Sequence, residues 1–503
     1  MPFSACTQRT SFPDPLSNIA GAKKPLRPAV VIRRARLLSA LGSSCEDTLR
    51  QLASAEDLCA QLAPSDVRVP ESDLAEADRR IAEAARTTGL KAFTRPARSL
   101  RHAASAALPL LDEALQAGIA PADIGLIVGN TAAGTAETVS VLRSHPETEA
   151  PDKWMPIEIG AVAALTARLA GISGPAYCVS TACTAGSKAI LEGARLLLTG
   201  RVRAVVAGGI DAESPLTEAG FSALGARSPG RALPFDARRT GMHLGEGGGF
   251  LLMMLAQTEQ AYFGGMPDEG PEVRLAGWGE TSDAHHICAP HPEGAGARAA
   301  IEAAIRNGAP HPVGFALLHG TATAQNDAME ARAMMSAAPG VSAASLKRHV
   351  GHQLAGAGAF NAAVAWSLLK GLGPTPLNFS RSSHPDPELP AAFRAALSGP
   401  ENTSSDLTAK LDSPGAPGVL ASAFAFGGSN AVLFFTARQE LDQRSARMSS
   451  VSRCRRRTSS HSAIPCALSI RRFMLMTALP NRSPWYVQTF WLLMPAGVFP
   501  PSH

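Results

Sequence analysis

The stretch AYCVSTACTAGSKAILEGARLLL (176–198) changes its period part-way along. Its first third is a short apolar run of strand length, and its last part carries apolar residues at helical spacing before ending at Gly200. Only small residues, with Cys183 among them, separate the two. A strand that hands over directly to a helix is a building block of α/β folds. Similar runs lie on either side. LIVGN (126–130), RAVVAGGID (203–211), GFLLMML (249–255) and VGFALLHG (313–320) have strand length, and FNAAVAWSLLKGLG (360–373) repeats the helical spacing with a terminal Gly. GVLASAFAFGGSNAVLFF (418–435) reads as two strands around a GG turn. This alternation predicts an α/β fold with buried mixed or parallel sheets.

The totals fit such a chain. Its 503 residues allow two or three domains or one large duplicated one, and a hydrophobic content of 45% supplies a sizeable core. Aromatics at 5% give no hint of stacked nucleobases. The eight cysteines are scattered without a C-x-x-C pair, so neither zinc nor a disulfide scaffold is indicated, and a reducing cytoplasm fits. The first 28 residues are polar and Pro-rich, read as a disordered lead-in, and lack the apolar run of a signal peptide. No run of about 20 apolar residues is present to span a bilayer. The net charge of +5 is misleading: residues 438–503 hold ten Arg, no Lys and two acids, a net of +8, which leaves the other 437 residues at −3. The basic character belongs to the tail, and a nucleic-acid role for the whole protein loses its support. The tail itself lacks a steady period and reads as an appended, disordered extension or as translation through a shifted frame, with a membrane-touching or basic functional segment as the less favoured alternative.

Four places carry residues suited to chemistry. Cys183 sits at the expected start of a helix, where free N–H groups and the helix dipole favour thiolate over thiol; a lone cysteine is otherwise most often a small buried side chain. HGTATAQNDAMEA (319–331) starts where a strand ends, which puts His319 at a carboxyl-end crevice. Thr321 and Thr323 alternate there, and Asp327 and Glu330 share a helical face, which is either functional or simply solvated. SLKRHVGHQLAGAGAF (345–360) offers Lys347 and His352 ahead of a run of small residues suited to close packing, with His349 read as structural. FAFGGSNA (424–431) forms a tight turn with exposed backbone N–H groups, able to donate to an oxyanion. Together, one Cys, two His and a Gly-rich hairpin make a coherent site for acyl-thioester chemistry.

These motifs resemble those of the elongating, Cys-His-His β-ketoacyl-ACP synthases of the thiolase superfamily. The likeness runs in order from about residue 29 to 437. It takes in GPAYCVSTACTAGSKA, AVVAGGID, PFDARRTGMHLGEGGG (234–249), TSDAHHICAPHPEGA (281–295), HGTATAQND, the Lys347–His352 motif and FAFGGSNA. The resemblance implies a duplicated thiolase-like fold, two mixed five-stranded sheets in an αβαβα arrangement. It divides the chain into an N-terminal half (29–257) carrying the nucleophile and a C-terminal half (258–437) carrying both histidines. It implies that Cys183 accepts the acyl chain, and that His319 and His352 assist malonyl decarboxylation. Lys347, tied to Glu330, supports them electrostatically. Thr321 and Thr323 bond the phosphopantetheine arm of an acyl carrier protein. The N–H groups of Cys183 and Phe426 form the oxyanion hole, Phe426 gates the acyl pocket, and Asp283 and His286 belong to a second loop beside the gate. No cofactor or metal is implied beyond the carrier's phosphopantetheine. The expected partners are acyl carrier protein and either a second copy or a related ketosynthase chain. A non-catalytic subunit that shapes a partner's pocket is the rival reading, and the intact Cys-His-His set argues against it. Ala425, where the family usually has Gly, is expected to stiffen the gate, and Cys288 stands where Thr is common.

Overall fold

The computed structural model describes residues 28–53, 67–143, 158–264, 270–372, 384–398 and 417–438. These belong to the first of two compact units, Met1–Arg444. All but the last residue of the lead-in and almost all of the basic tail lie outside the described residues.

Ten strands form two sets of five with one topology. The first set is β1 (Val30–Leu38), β2 (Ile124–Gly129), β3 (Ala176–Val179), β4 (Ala204–Asp211) and β5 (Gly247–Leu255), in the spatial order β3-β2-β4-β5-β1. The second is β6 (Glu272–Ser282), β7 (Val313–Leu317), β8 (Ser342–Ala344), β9 (Gly418–Ala425) and β10 (Ser429–Arg438), in the order β8-β7-β9-β10-β6. Each set has the same senses of pairing: the first three strands of its order are parallel and the last two pairings are antiparallel. The duplication expected from the resemblance is therefore present strand for strand. The two sheets are not separate, however. Val30–Ile32 of β1 pair with Leu275–Val273 of β6, so the ten strands form one hydrogen-bonded ladder. Each of these strands is the edge of its own set, and pairing them satisfies backbone groups that an open edge would leave exposed.

The helices of eight or more residues among those described are α1 (Cys45–Ala53), α2 (Ala75–Thr88), α3 (Arg98–Gln116), α4 (Thr135–Arg143), α5 (Ala161–Ala170), α6 (Ala185–Leu198), α7 (Pro215–Ala223) and α8 (Ala256–Phe263), then α9 (Ala295–Asn307), α10 (Ala324–Ala337), α11 (Ala355–Leu369) and α12 (Ala391–Ser398). Alternation along the strands sorts them into layers. Val205, Ala207, Leu251 and Met253 share a core with α6, α11 and the inward residues Leu317, Ala421 and Leu433 of the second set. Their neighbours Val206, Leu252 and Met254 face the opposite way, into a core with α2, α3 and α5. Ala316, Leu420 and Phe434 likewise face α9, α10 and α12. The result is the five-layer αβαβα order. All 15 residues of α11 are buried, which explains why its sequence is apolar on every side. No helix among the described residues is long and apolar enough to cross a membrane.

Candidate active site

The two central helices start at one place. Gly356 of α11 sits against the start of β5, and Gly186 of α6 meets β4 and the first turn of α11 so closely that a Cβ on Gly186 would lie 2.4 Å from the Ala355 carbonyl. One on Gly209 would lie 2.6 Å from both that carbonyl and the Gly186 Cα. Only glycine permits this approach, because the opposing atoms are backbone. It brings the segment preceding each helix, one bearing Cys183 and the other His352, into contact.

Cys183 follows Ala182, whose φ of 51° turns the chain sharply between β3 and α6. The Thr184 hydroxyl donates to the Thr181 carbonyl at 2.7 Å and so fixes the turn. Cys183 is 8% exposed. Burial pushes its thiol up to about 12, with Lys347 pulling it down and Asp211 pushing it up. Burial thus works against the thiolate that the helix end favours. A helix dipole contributes at most ~2 kcal/mol, less than the desolvation of a buried charge.

His352 Nε2 lies 3.1 Å from Cys183 Sγ. Its other nitrogen, Nδ1, accepts from the Leu354 N–H at 3.2 Å, which assigns the ring proton to Nε2. The backbone of His352 is bound on both sides by the first half: His352 N donates to the His243 carbonyl at 2.8 Å, and Gly245 N donates to the His352 carbonyl at 3.2 Å. The glycine-rich segment after PFDARR is therefore the cradle of the second histidine.

His319 stands at right angles to His352, with ring centroids 5.3 Å apart. Lys347 Nζ lies 3.3 Å from His319 Nδ1 and donates to its carbonyl at 2.5 Å. Nδ1 is again engaged, leaving Nε2–H as the free donor. Burial first, then Lys347, hold both imidazoles well below the usual histidine range, so they are neutral. Glu330 Oε1 and Oε2 accept from the N–H groups of His319 and Gly320, both at 2.7 Å. Lys347 and Glu330 are thus linked through His319 and by charge rather than by a direct bond, and burial pushes the acid up and the amine down. Asp327 accepts from Phe235 N at 2.7 Å and Ala322 N at 3.1 Å. Both acids are fully buried, which removes the solvated-face reading of this helix.

A cavity of about 610 Å³ opens onto these groups. Cys183, His319, Thr321, Thr323, His352, Asp283, His286 and Phe426 all line it, while Lys347 and Glu330 sit behind His319. The hydroxyls of Thr321 and Thr323 are 2.9 Å apart. Phe426, 36% exposed, meets Phe221 with ring centroids 5.7 Å apart. The turn behind it is bonded to the second loop: Asp283 N donates to the Gly428 carbonyl at 2.8 Å, and Gly427 N to the Ile287 carbonyl at 2.7 Å. Asp283 also accepts from Asn430 at 2.7 Å and His291 N at 3.0 Å. His286 Nδ1 accepts from the N–H groups of Cys288 and Ala289 and shapes its own loop. Ala425 has φ −137°, ordinary extended backbone; the left-handed positions are Gly427 and Gly428. The observed gate conformation therefore places no strain on Ala425.

The sequence reading missed Asp211, the last residue of β4 and fully buried. Oδ1 accepts from Thr131 N and Ala132 N at 3.0 and 2.8 Å, and Oδ2 from Ala355 N at 2.8 Å. Burial pushes it up to about 7 against these three bonds. An acid closing an apolar strand run was the available signal.

The sequence profiles described as Beta-ketoacyl synthase, N-terminal domain, and Beta-ketoacyl synthase, C-terminal domain, match residues 29–259 and 273–380. The 3-oxoacyl-[acyl-carrier-protein] synthase 2 of Synechocystis sp. is 32% identical over 336 residues, 62% of this chain and 74% of that one. The mitochondrial 3-oxoacyl-[acyl-carrier-protein] synthase of Arabidopsis thaliana is 33% identical over 53% of this chain and 57% of its own. Among solved structures, a ketosynthase in complex with its chain length factor from Xenorhabdus doucetiae is 28% identical, with a TM-score of 0.64 over 83% of this chain and 100% of that one. A beta-ketoacyl synthase from Burkholderia phymatum shares the fold at 22% identity, with a TM-score of 0.66 over 82% of this chain and 100% of that one.

Proposed function

The chain belongs to the β-ketoacyl synthase family of acyltransferases, and we propose that it extends a carrier-bound acyl chain by decarboxylating condensation with malonyl-acyl carrier protein. The observation that carries this reading is the pair of neutral imidazoles beside Cys183, each with Nδ1 engaged, so that Nε2–H of His319 is free and that of His352 faces the Cys183 sulfur. Cys183 takes the acyl group as a thioester and the carrier thiol departs. The malonyl carboxylate then leaves as CO₂, and its bonding electrons pass to the thioester oxygen as an enolate. Two N–H donors converging on that oxygen lower the energy of the charge as it develops. Neutral donors suit this role, since they stabilise the enolate without protonating its carbon. The enolate carbon attacks the acyl-Cys183 carbonyl, whose oxygen is held by the N–H groups of Cys183 and Phe426, and the Cys183 sulfur leaves.

In this reading Lys347 and Glu330 hold His319 in place. Thr321 and Thr323 bond the phosphopantetheine arm, and Phe426, with the loop of Asp283 and His286, admits the acyl chain. The halves 29–257 and 258–437 supply nucleophile and histidines respectively. The substrates arrive on acyl carrier protein, without another cofactor, and a cytoplasmic location suits a catalytic thiol. The partner is a second copy or a related ketosynthase chain; the retained Cys183 makes this chain the catalytic member of such a pair.

Intact-protein mass spectrometry with a panel of acyl-carrier thioesters tests the proposal. The expected result is a mass gain on wild type, none on Cys183→Ala, and discharge by malonyl-carrier with release of the β-ketoacyl product. Condensation retained by Cys183→Ala, or no acylation of folded wild type with any chain, overturns it.

A further inference from the structure

Asp211 makes no contact with the cavity, yet its carboxylate is bonded to the supports of both catalytic segments. Through Oδ1 it accepts the N–H groups of Thr131 and Ala132, in the loop that follows β2. The Thr131 hydroxyl in turn donates to the Ala182 carbonyl at 3.3 Å, one residue before the nucleophile. Through Oδ2 it accepts the N–H of Ala355, the first residue of α11. Only Gln353 and Leu354 separate that residue from His352. Leu354 has φ 49° and donates its N–H to His352 Nδ1, so the strained turn that orients the imidazole is closed at its far end by the Asp211 bond.

We infer that Asp211 is a positioning residue of the condensing site, a carboxylate that joins the two halves and sets the separation of Cys183 Sγ and His352 Nε2. The inference rests on the proposed condensing role of those two residues. Three backbone N–H groups converge on the side chain, and only a group that accepts at both ends satisfies them all. Asn has one accepting oxygen and an NH₂ that donates. Whichever way it is turned, it leaves either the Thr131–Ala132 pair or the Ala355 N–H facing a donor. Asp211→Asn therefore loosens one half against the other, but it also removes the charge that pushes the Cys183 thiol up, so the test uses Asp211→Glu, which keeps the charge and both acceptors and shifts them by one methylene.

The test is a double-mutant cycle on alkylation of Cys183 by iodoacetamide, which needs neither acyl substrate nor carrier. His352→Ala removes the N–H donor to the sulfur, and the expected slowing at fixed pH is about tenfold, the effect of one hydrogen bond to a charged group. Asp211→Glu slows alkylation to a similar extent, and the double variant is no slower than either single one, because both act through one contact. Condensation by Asp211→Glu falls in parallel. A wild-type alkylation rate in Asp211→Glu overturns the inference, and so does an additive loss in the double variant, which is the mark of a general structural effect. If the Glu variant does not fold, the cycle is run with Asp211→Asn, whose lost charge by itself speeds alkylation, so that a slowing there reports the lost positioning. A loss that vanishes in the His352→Ala background supports the role; no loss, or an additive one, ends it. Should wild type fail to condense any substrate, the proposed function falls while the alkylation cycle still reports on Asp211.

Discussion

Glu330 shows what a residue's chemical type leaves unsaid. Its carboxylate was read beside Lys347, but its two oxygens are spent on the N–H groups of His319 and Gly320. Glu330→Gln turns an NH₂ toward one of these donors. The expected loss is ~1–3 kcal/mol of stability, the cost of one buried unsatisfied N–H. Condensation should fall by about tenfold or more as His319 shifts, since a slight displacement of a catalytic group is enough. Urea unfolding and turnover measured together check this; a variant with normal turnover refutes the role. Cys183 supports a pH prediction. With its thiol pushed up to about 12 by burial, the thiolate fraction grows about tenfold per pH unit below that value. Alkylation should therefore climb through pH 9 and beyond, and a plateau below about pH 8 would show a stabilised thiolate instead. Cys183, His319 and His352 were legible because the chemistry demands those side chains. The work of Asp211 and Glu330 was not, because a sequence does not say which backbone amides will face a carboxylate.

The elements carry the next level of information. Small residues after His352 signalled close packing, and α11 does pack closely, but its partner could not be named from sequence. That partner is the start of α6 and the ends of β4 and β5, met through Gly186, Gly209 and Gly248. Period and length placed seven of the ten strands but, among the helices, only α6, α10 and α11, and the short β3 ends at Val179 rather than running on to Ala182. The left-handed turn at Ala182 takes over there, a feature that local composition does not announce. Gly209→Ala tests the crossing. Its methyl would sit 2.6 Å from the Ala355 carbonyl and the Gly186 Cα, both backbone, so the helix starts must part. A destabilisation of ~1–3 kcal/mol is expected from overpacking, with loss of condensation well beyond what the stability loss explains. Urea unfolding combined with acyl-transfer and condensation rates separates the two effects. An active, stable Gly209→Ala protein would mean that the crossing tolerates slack.

For the whole molecule, the duplication was legible only through the family resemblance, and the β1–β6 join was not legible at all, because edge pairing depends on how the sheets meet. The same burial that builds the layered core encloses five histidines among the described residues: His102, His243, His319, His349 and His352. Burial lowers His102 and His243 to about 4 and His349 to about 3, and holds the two catalytic rings well below their usual value. Between about pH 6.5 and 4 the unfolded chain protonates these groups and the folded chain does not, so they remove stability as pH falls. Asp211, Asp327 and Glu330 act in the opposite sense. Burial raises them, so the folded state binds protons that the unfolded state has lost, and their contribution falls as pH rises toward 7. The two sets therefore pull stability in opposite directions as pH falls, the histidines lowering it and the acids raising it. His102 isolates one share of this effect. It is fully buried in α3, with Glu246 at 3.8 Å. Its folded value near 4 against 6.5 in the unfolded chain amounts to about 2 kcal/mol at pH 5. His102→Leu removes that term. Between pH 7.5 and 5 the variant should lose about 2 kcal/mol less unfolding free energy in urea than wild type does. The packing change is common to both pH values and cancels in the comparison. Equal losses in the two proteins would mean that His102 accepts its proton without leaving the core.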